Sequence, residues 1–122
     1  MLNVGEVGSK FYGHLPYIKN DNRFQFGSGS LGHGFPYAVG LAKAREMLGI
    51  KDTIYCVIGD GEANEGTFWE SLLICSKFKN INLKILVDCN ESSERAIPIK
   101  KIINNLELIS DDLIFSKCDG HN

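Results

Sequence analysis

Two short segments carry the side chains best suited to chemistry. Gly59-Asp60-Gly61 ends an apolar run with one carboxylate set between two glycines, and Asn90 closes a second apolar run thirty residues later. A carboxylate and an amide oxygen delivered into one crevice, joined by a backbone carbonyl and phosphate oxygens, make the octahedral oxygen shell that Mg²⁺ takes. The flanking glycines leave room for a ligand to approach the backbone. On the residues alone a second reading stays open, because Asp and Asn also serve as turn residues that cap helices. Upstream, Gly27-Ser28-Gly29-Ser30-Leu31-Gly32-His33-Gly34 is a glycine-rich turn in front of a helix. Backbone N–H groups there, with the positive end of the helix, can cradle an anion. A tight turn packed under a helix is the structural alternative.

Three rival motifs lose on position. Gly27-Ser28-Gly29-Ser30-Leu31-Gly32 matches the glycine pattern of dinucleotide-binding turns, but the segment before it, Asn22 to Phe26, is short and half polar. The acid some twenty residues on, Asp52, precedes the next strand and so belongs at the wrong end of a sheet. Asp60, Glu62 and Asn64 alternate like calcium ligands, yet the positions that would need Gly and a bidentate Glu are Glu65 and Ser71, which rejects an EF-hand. Cys56, Cys75, Cys89 and Cys118 contain no CxxC pair, and His14, His33 and His121 supply no paired spacing for zinc. Buried thiols that pack as small hydrophobes are the expectation for them.

Elements of a parallel sheet would position these groups. Phe35 to Leu48 reads as a helix with Pro36 in its first turn, Ala38, Leu41 and Ala42 on one face, and Gly49 as its stop. Thr53 to Ile58 reads as a strand. Thr67 to Phe78 reads as a helix with Phe68, Leu72 and Cys75 on its core face and Trp69 beside Leu73 and Ser76 on a second buried face. Leu83 to Cys89 is a strand, Ile97 to Leu108 a third helix, and Leu113 to Cys118 a final strand. Alternation of helix and strand predicts an α/β fold, a partial parallel sheet with helices on both faces. Strands that are apolar throughout predict burial of both sheet faces. Ligands of such sheets bind beyond the carboxyl ends of the strands, where Asp60 and Asn90 fall.

The chain has 122 residues, 13 basic against 15 acidic, and a formal net charge of −2. That length suits one domain, and 43% hydrophobic with 23% charged residues excludes disorder as a general description. Scattered Lys and Arg give no electrostatic footprint for nucleic acid. No apolar stretch is long enough to span a membrane, and Met1 opens no signal peptide, so a cytoplasmic protein is expected.

Gly59 to Glu70, with its Glu65-Gly66-Thr67-Phe68-Trp69-Glu70 extension, Asn82 to Asn90, Gly29 to Gly34 and Asp119-Gly120-His121 together resemble transketolase. The likeness is to the amino-terminal, cofactor-binding part of that thiamine diphosphate enzyme and runs from Gly8 to His121. It implies that residues 1–122 are one incomplete domain on the diphosphate side of the cofactor. It further implies that Asp60, the Asn90 side chain and the Ser92 carbonyl hold Mg²⁺. Gly29, Ser30, Leu31, Gly61, Glu62 and Asn90 would contact thiamine diphosphate. His14 matches a Gly-His-Pro position that faces substrate hydroxyls, with Leu15 here in place of the Pro. Glu65 and Glu70 match carboxylates near a subunit interface; as plain helix residues they would be solvated charges.

The implied reaction moves a two-carbon ketol unit between sugar phosphates. Upstream histidines that reach the diphosphate and the glutamate that activates the aminopyrimidine have no counterpart here. A pyrimidine-binding domain on a separate chain, in a dimer or heterotetramer, is therefore implied. Glu91-Ser-Ser-Glu-Arg95 stands where the family has Gly-Leu-Gln. Two alternatives come with the resemblance: the α subunit of a 2-oxo-acid dehydrogenase, whose GDG loop is similar, and a non-catalytic fragment.

Overall fold

Apolar periodicity fixes where the chain crosses the core, and turn chemistry fixes where it stops. In the computed structural model the described residues are 14, 17, 26–78 and 80–89, with the backbone of 113–116. They form α1 (Gly34–Met47), β1 (Ile54–Gly59), a 3₁₀ turn (Glu62–Asn64), α2 (Gly66–Cys75), β2 (Leu83–Asp88) and β3 (Leu113–Ser116). The chain divides into two compact units, residues 1–31 and 32–122. In the first, His14 and Tyr17 are exposed and Gly29 has φ +144°. All the elements belong to the second.

The sheet is parallel, in the order β1-β2-β3, which bears out the α/β reading. Ile54 pairs with Leu83 and the register continues to Gly59 with Asp88; β3 pairs with β2 from Ile85–Leu113 to Asp88–Ser116. Cys56 and Ile58 of β1 and Leu83, Ile85 and Val87 of β2 point to one face, and both described helices pack there. The third helix expected at 97–108 lies outside the described residues. On the other face Tyr55 is 68% and Val57 70% exposed, which corrects the expectation that β1 is buried on both sides. A continuous apolar run records that a strand tolerates burial, not that both faces are covered. Among the described residues no helix is long and apolar enough to cross a membrane.

The α1 helix stops as its glycine requires. Gly49 adopts φ +72°, its N–H donates to the Glu46 carbonyl, and the Ile50 N–H donates to the Arg45 carbonyl. This pair of bonds satisfies carbonyls that the last turn leaves without partners. Its core face is Phe35, Ala38, Val39 and Ala42, all buried, whereas Leu41 is only half-buried. The α2 helix is shorter than expected, because the Ser76 hydroxyl donates to the Leu73 carbonyl and the chain tightens into turns at Lys77 and Phe78.

Phe68 is 1% exposed and stacks tilted on Phe35 at 5.2 Å between ring centroids. Trp69 meets Phe68 edge-on at 5.3 Å but is only half-buried, and its face-mates Leu73 and Ser76 are not buried either. The expected second buried face of α2 is thus a rim. Phe68→Ala should cost ~3–5 kcal/mol of stability, as deletion of a buried ring does. Trp69→Ala should cost ~1–2 kcal/mol, within the usual range for a partly exposed side chain. Denaturant midpoints measure both, and a larger loss for Trp69→Ala than for Phe68→Ala would contradict this packing.

Candidate functional site

The β1–β2 ladder delivers its two strand ends to one level. Asp60 follows the last pair, and its N–H still donates to the Asp88 carbonyl at 3.1 Å. Gly59 therefore lies beside Asp88, two residues before Asn90. Asn90 and Ser92 themselves lie outside the described residues. Asp60 is half-buried, and its Oδ1 accepts the Gly61 N–H at 2.8 Å while its carbonyl accepts a bond from Asn64 Nδ2 at 3.1 Å. A carboxylate has two oxygens and about four acceptor positions, so this local bond orients the group without exhausting it. A Cβ built on Gly59 meets no atom within 4 Å, and the same is true at Gly29. Gly59 lies on the same open face of β1 as Tyr55 and Val57. A half-buried carboxylate beside open space at the carboxyl end of parallel strands fits a hard, oxygen-seeking cation. Among the described residues no three His, Cys, Asp or Glu side chains converge as a metal centre.

After Gly61 the chain makes the 3₁₀ turn, pinned to the core by Ala63, which is fully buried. The turn aims Glu62 back at the glycine-rich segment. Glu62 Oε1 accepts the Gly32 N–H at 3.0 Å, and Thr67 Oγ1, in the first turn of α2, donates to the Gly32 carbonyl at 2.9 Å. Glu62, expected to contact a cofactor, thus has its carboxylate engaged within the chain. Nothing in the sequence singled out Thr67. Its partner is 35 residues away, and no local pattern signals such a pairing.

The remaining expected site residues lie at the surface. His14 is exposed in the first unit, where Ser30 and Leu31 are exposed too. Glu65 and Glu70 are exposed. Asp52, rejected as a ribose ligand, sits at the amino end of β1, where Arg45 Nε donates to its Oδ1 at 2.7 Å and Arg45 Nη2 bonds its second oxygen. That guanidinium holds the Asp52 carboxyl below the usual carboxylate range. An apolar cavity of about 350 Å³ lies between α1 and α2, lined by Val39, Met47, Ile74 and Phe78 among others, and offers little to a charged ligand.

Cys56, Cys75 and Cys89 are thiols outside any disulfide, and Cys56 is buried, as expected of a small hydrophobe. Burial, aided by the nearby Glu62 carboxylate, pushes the Cys56 thiol up to about 11, which removes it as a nucleophile.

Likeness to known proteins joins this geometry. Residues 3–90 match the family described as dehydrogenase E1 component. An apulose-4-phosphate transketolase subunit of Actinobacillus succinogenes is 43% identical over 83 residues, covering 68% of this chain and 30% of that protein. The 6-deoxy-6-sulfo-D-fructose transketolase subunit SqwG of Clostridium sp. is 36% identical over 100 residues, covering 78% of this chain and 36% of its own length. Human transketolase is 32% identical over 91 residues, 74% of this chain and 14% of the human one. The chain thus spans about a third of the bacterial proteins it matches.

The Cys56 environment gives a pH prediction. As pH rises, an unfolded thiol ionises near 8.5 whereas the folded one keeps its proton to about 11. The unfolded state then binds fewer protons, so stability falls with rising pH in that window, by up to ~3 kcal/mol, and is unaffected by this group below it. Urea unfolding from pH 8 to 10.5 should show a steeper loss in the wild type than in Cys56→Ala. Equal slopes would contradict the assignment.

Proposed function

The chain belongs to the dehydrogenase E1 component family, whose members depend on thiamine diphosphate, and on that premise we propose that it supplies the diphosphate- and metal-binding portion of a transketolase-like enzyme. The observation that carries the reading is the place of Asp60, at the shared carboxyl end of β1 and β2 with open space over Gly59. In this reading Asp60, the Asn90 amide oxygen and the Ser92 carbonyl hold Mg²⁺. The backbone around Gly29, Ser30 and Leu31, with Gly61 and Asn90, receives the diphosphate, and Glu62 serves that cradle. When bound, thiamine diphosphate supplies the carbanion chemistry that lets a two-carbon ketol unit pass between sugar phosphates.

This chain's own residues bind and orient. Asp60 contributes one fixed negative charge against the cation, and the Gly61 N–H keeps that carboxylate aimed. His14 would meet substrate hydroxyls. Residues 1–122 form the diphosphate-side domain, and the aminopyrimidine-activating group comes from a pyrimidine-binding domain on another chain. Relatives named as transketolase subunits favour such a division between chains. The proposal places the chain in a dimer or heterotetramer in the cytoplasm. The name of the matched family favours a second reading, the α subunit of a 2-oxo-acid dehydrogenase. Dependence of product on an aldose acceptor separates the two.

Asp60→Ala should abolish Mg²⁺-dependent thiamine diphosphate binding, weakening it more than tenfold, while circular dichroism and the denaturation midpoint stay close to wild type. The side chain ends a strand and fills no core volume, so its loss opens no cavity. Calorimetric titration of both proteins, each assembled with a chain carrying the pyrimidine-binding domain, with thiamine diphosphate in Mg²⁺ measures it. Equal affinities would defeat the metal assignment.

A further inference from the structure

Glu62 and Thr67 converge on one residue, Gly32, from two different elements. Glu62 takes the N–H of Gly32 and Thr67 takes its carbonyl, at 3.0 and 2.9 Å. Gly32 has φ +78°, and a Cβ there would stand 2.3 Å from Thr67 Oγ1 and 2.8 Å from Glu65 Cβ. Only glycine fits the gap. The residue is itself buried, so both of its polar groups need partners, and each receives one from a different element. Glu62 sits two residues after Asp60 in a turn anchored by Ala63, which is 0% exposed. The N–H of Gly32, moreover, is already committed and is not a donor for an anion.

We propose that Glu62 and Thr67 are positioning residues that clamp Gly32 to the Asp60 turn and so preset the start of α1 beside that turn for the cofactor's diphosphate. The inference rests on the reading of the Asp60 turn as a metal and diphosphate site. Glu62 acts through its acceptor oxygen and Thr67 through its hydroxyl proton. Charge on Glu62 is incidental, and a carboxylate touching the diphosphate directly would repel it.

Four variants test this. Glu62→Ala and Thr67→Val remove the acceptor and the donor and should each weaken Mg²⁺-dependent thiamine diphosphate binding about tenfold, the scale of one lost hydrogen bond. Glu62→Gln and Thr67→Ser keep them and should recover affinity to within about threefold of wild type. Amide hydrogen exchange at Gly32 supplies a ligand-free readout: slow in wild type and Glu62→Gln, fast in Glu62→Ala. Equal binding by all four variants overturns the proposal, as does a loss in Glu62→Gln as large as in Glu62→Ala, which would mark the charge as the working group. Binding is read on the chain assembled with a pyrimidine-domain partner; should wild type so assembled bind no thiamine diphosphate, the metal and diphosphate reading fails. The clamp is then decided by Gly32 exchange alone, and equal exchange in the three proteins overturns it.

Discussion

β1 and β2 run parallel and in register from Ile54 with Leu83 to Gly59 with Asp88, and every functional feature hangs on that ladder. A parallel pair must return to its start through a crossover, here the 3₁₀ turn and α2, so both carboxyl ends lie at one edge, and the register sets them level. Asp60 leaves the sheet at that level with its N–H still tied to the Asp88 carbonyl. Burial secures the register: Cys56, Ile58, Leu83, Ile85 and Val87 share one face, and a slip of either strand by one residue would turn that strand's buried set outward. Hydrophobic packing beneath the sheet thereby becomes positional precision at its end.

The crossover does more than connect. Its first residue after Gly61 is Glu62, and the first turn of α2 carries Thr67, so one segment holds both the N–H and the carbonyl of Gly32. Ala63 and Phe68, buried at 0% and 1%, hold that segment to the core. A carboxylate on a surface loop would sample many rotamers; here the loop is short, anchored and half-buried, and the ordering has been met by folding before any ligand arrives. This is preorganisation in the ordinary sense, which lowers the ordering cost of any ligand that the segment meets.

Much of this architecture is legible in the sequence, because its signals are local. Gly49 marks the end of α1, the 53–58 and 83–89 runs mark β1 and β2 to within a residue, and Phe68 and Leu72 mark the core face of α2. Asp60 declares itself through its two glycines. Signals that depend on what lies opposite are not legible. Tyr55 and Val57 read as buried but are exposed, since apolar character cannot say whether a face is covered. Trp69 reads as core and lies at its rim. The bonds from Glu62 and Thr67 to Gly32 link residues 30 and 35 apart, and only the folded chain brings them together. The expected third helix, Asn90 and Ser92 fall outside the described residues.

The central claim is that the carboxyl end of the β1–β2 ladder is where this chain binds a divalent cation. Mn²⁺ suits the same oxygen ligands as Mg²⁺ and broadens nearby amide resonances. Titrating the isotope-labelled chain with Mn²⁺ and thiamine diphosphate should broaden the amides of Gly59 to Glu62, leave those of Lys51 to Thr53 at the other end of β1 sharp, and be reversed by excess Mg²⁺. Broadening centred on Asp52, or none that Mg²⁺ reverses, would contradict the account.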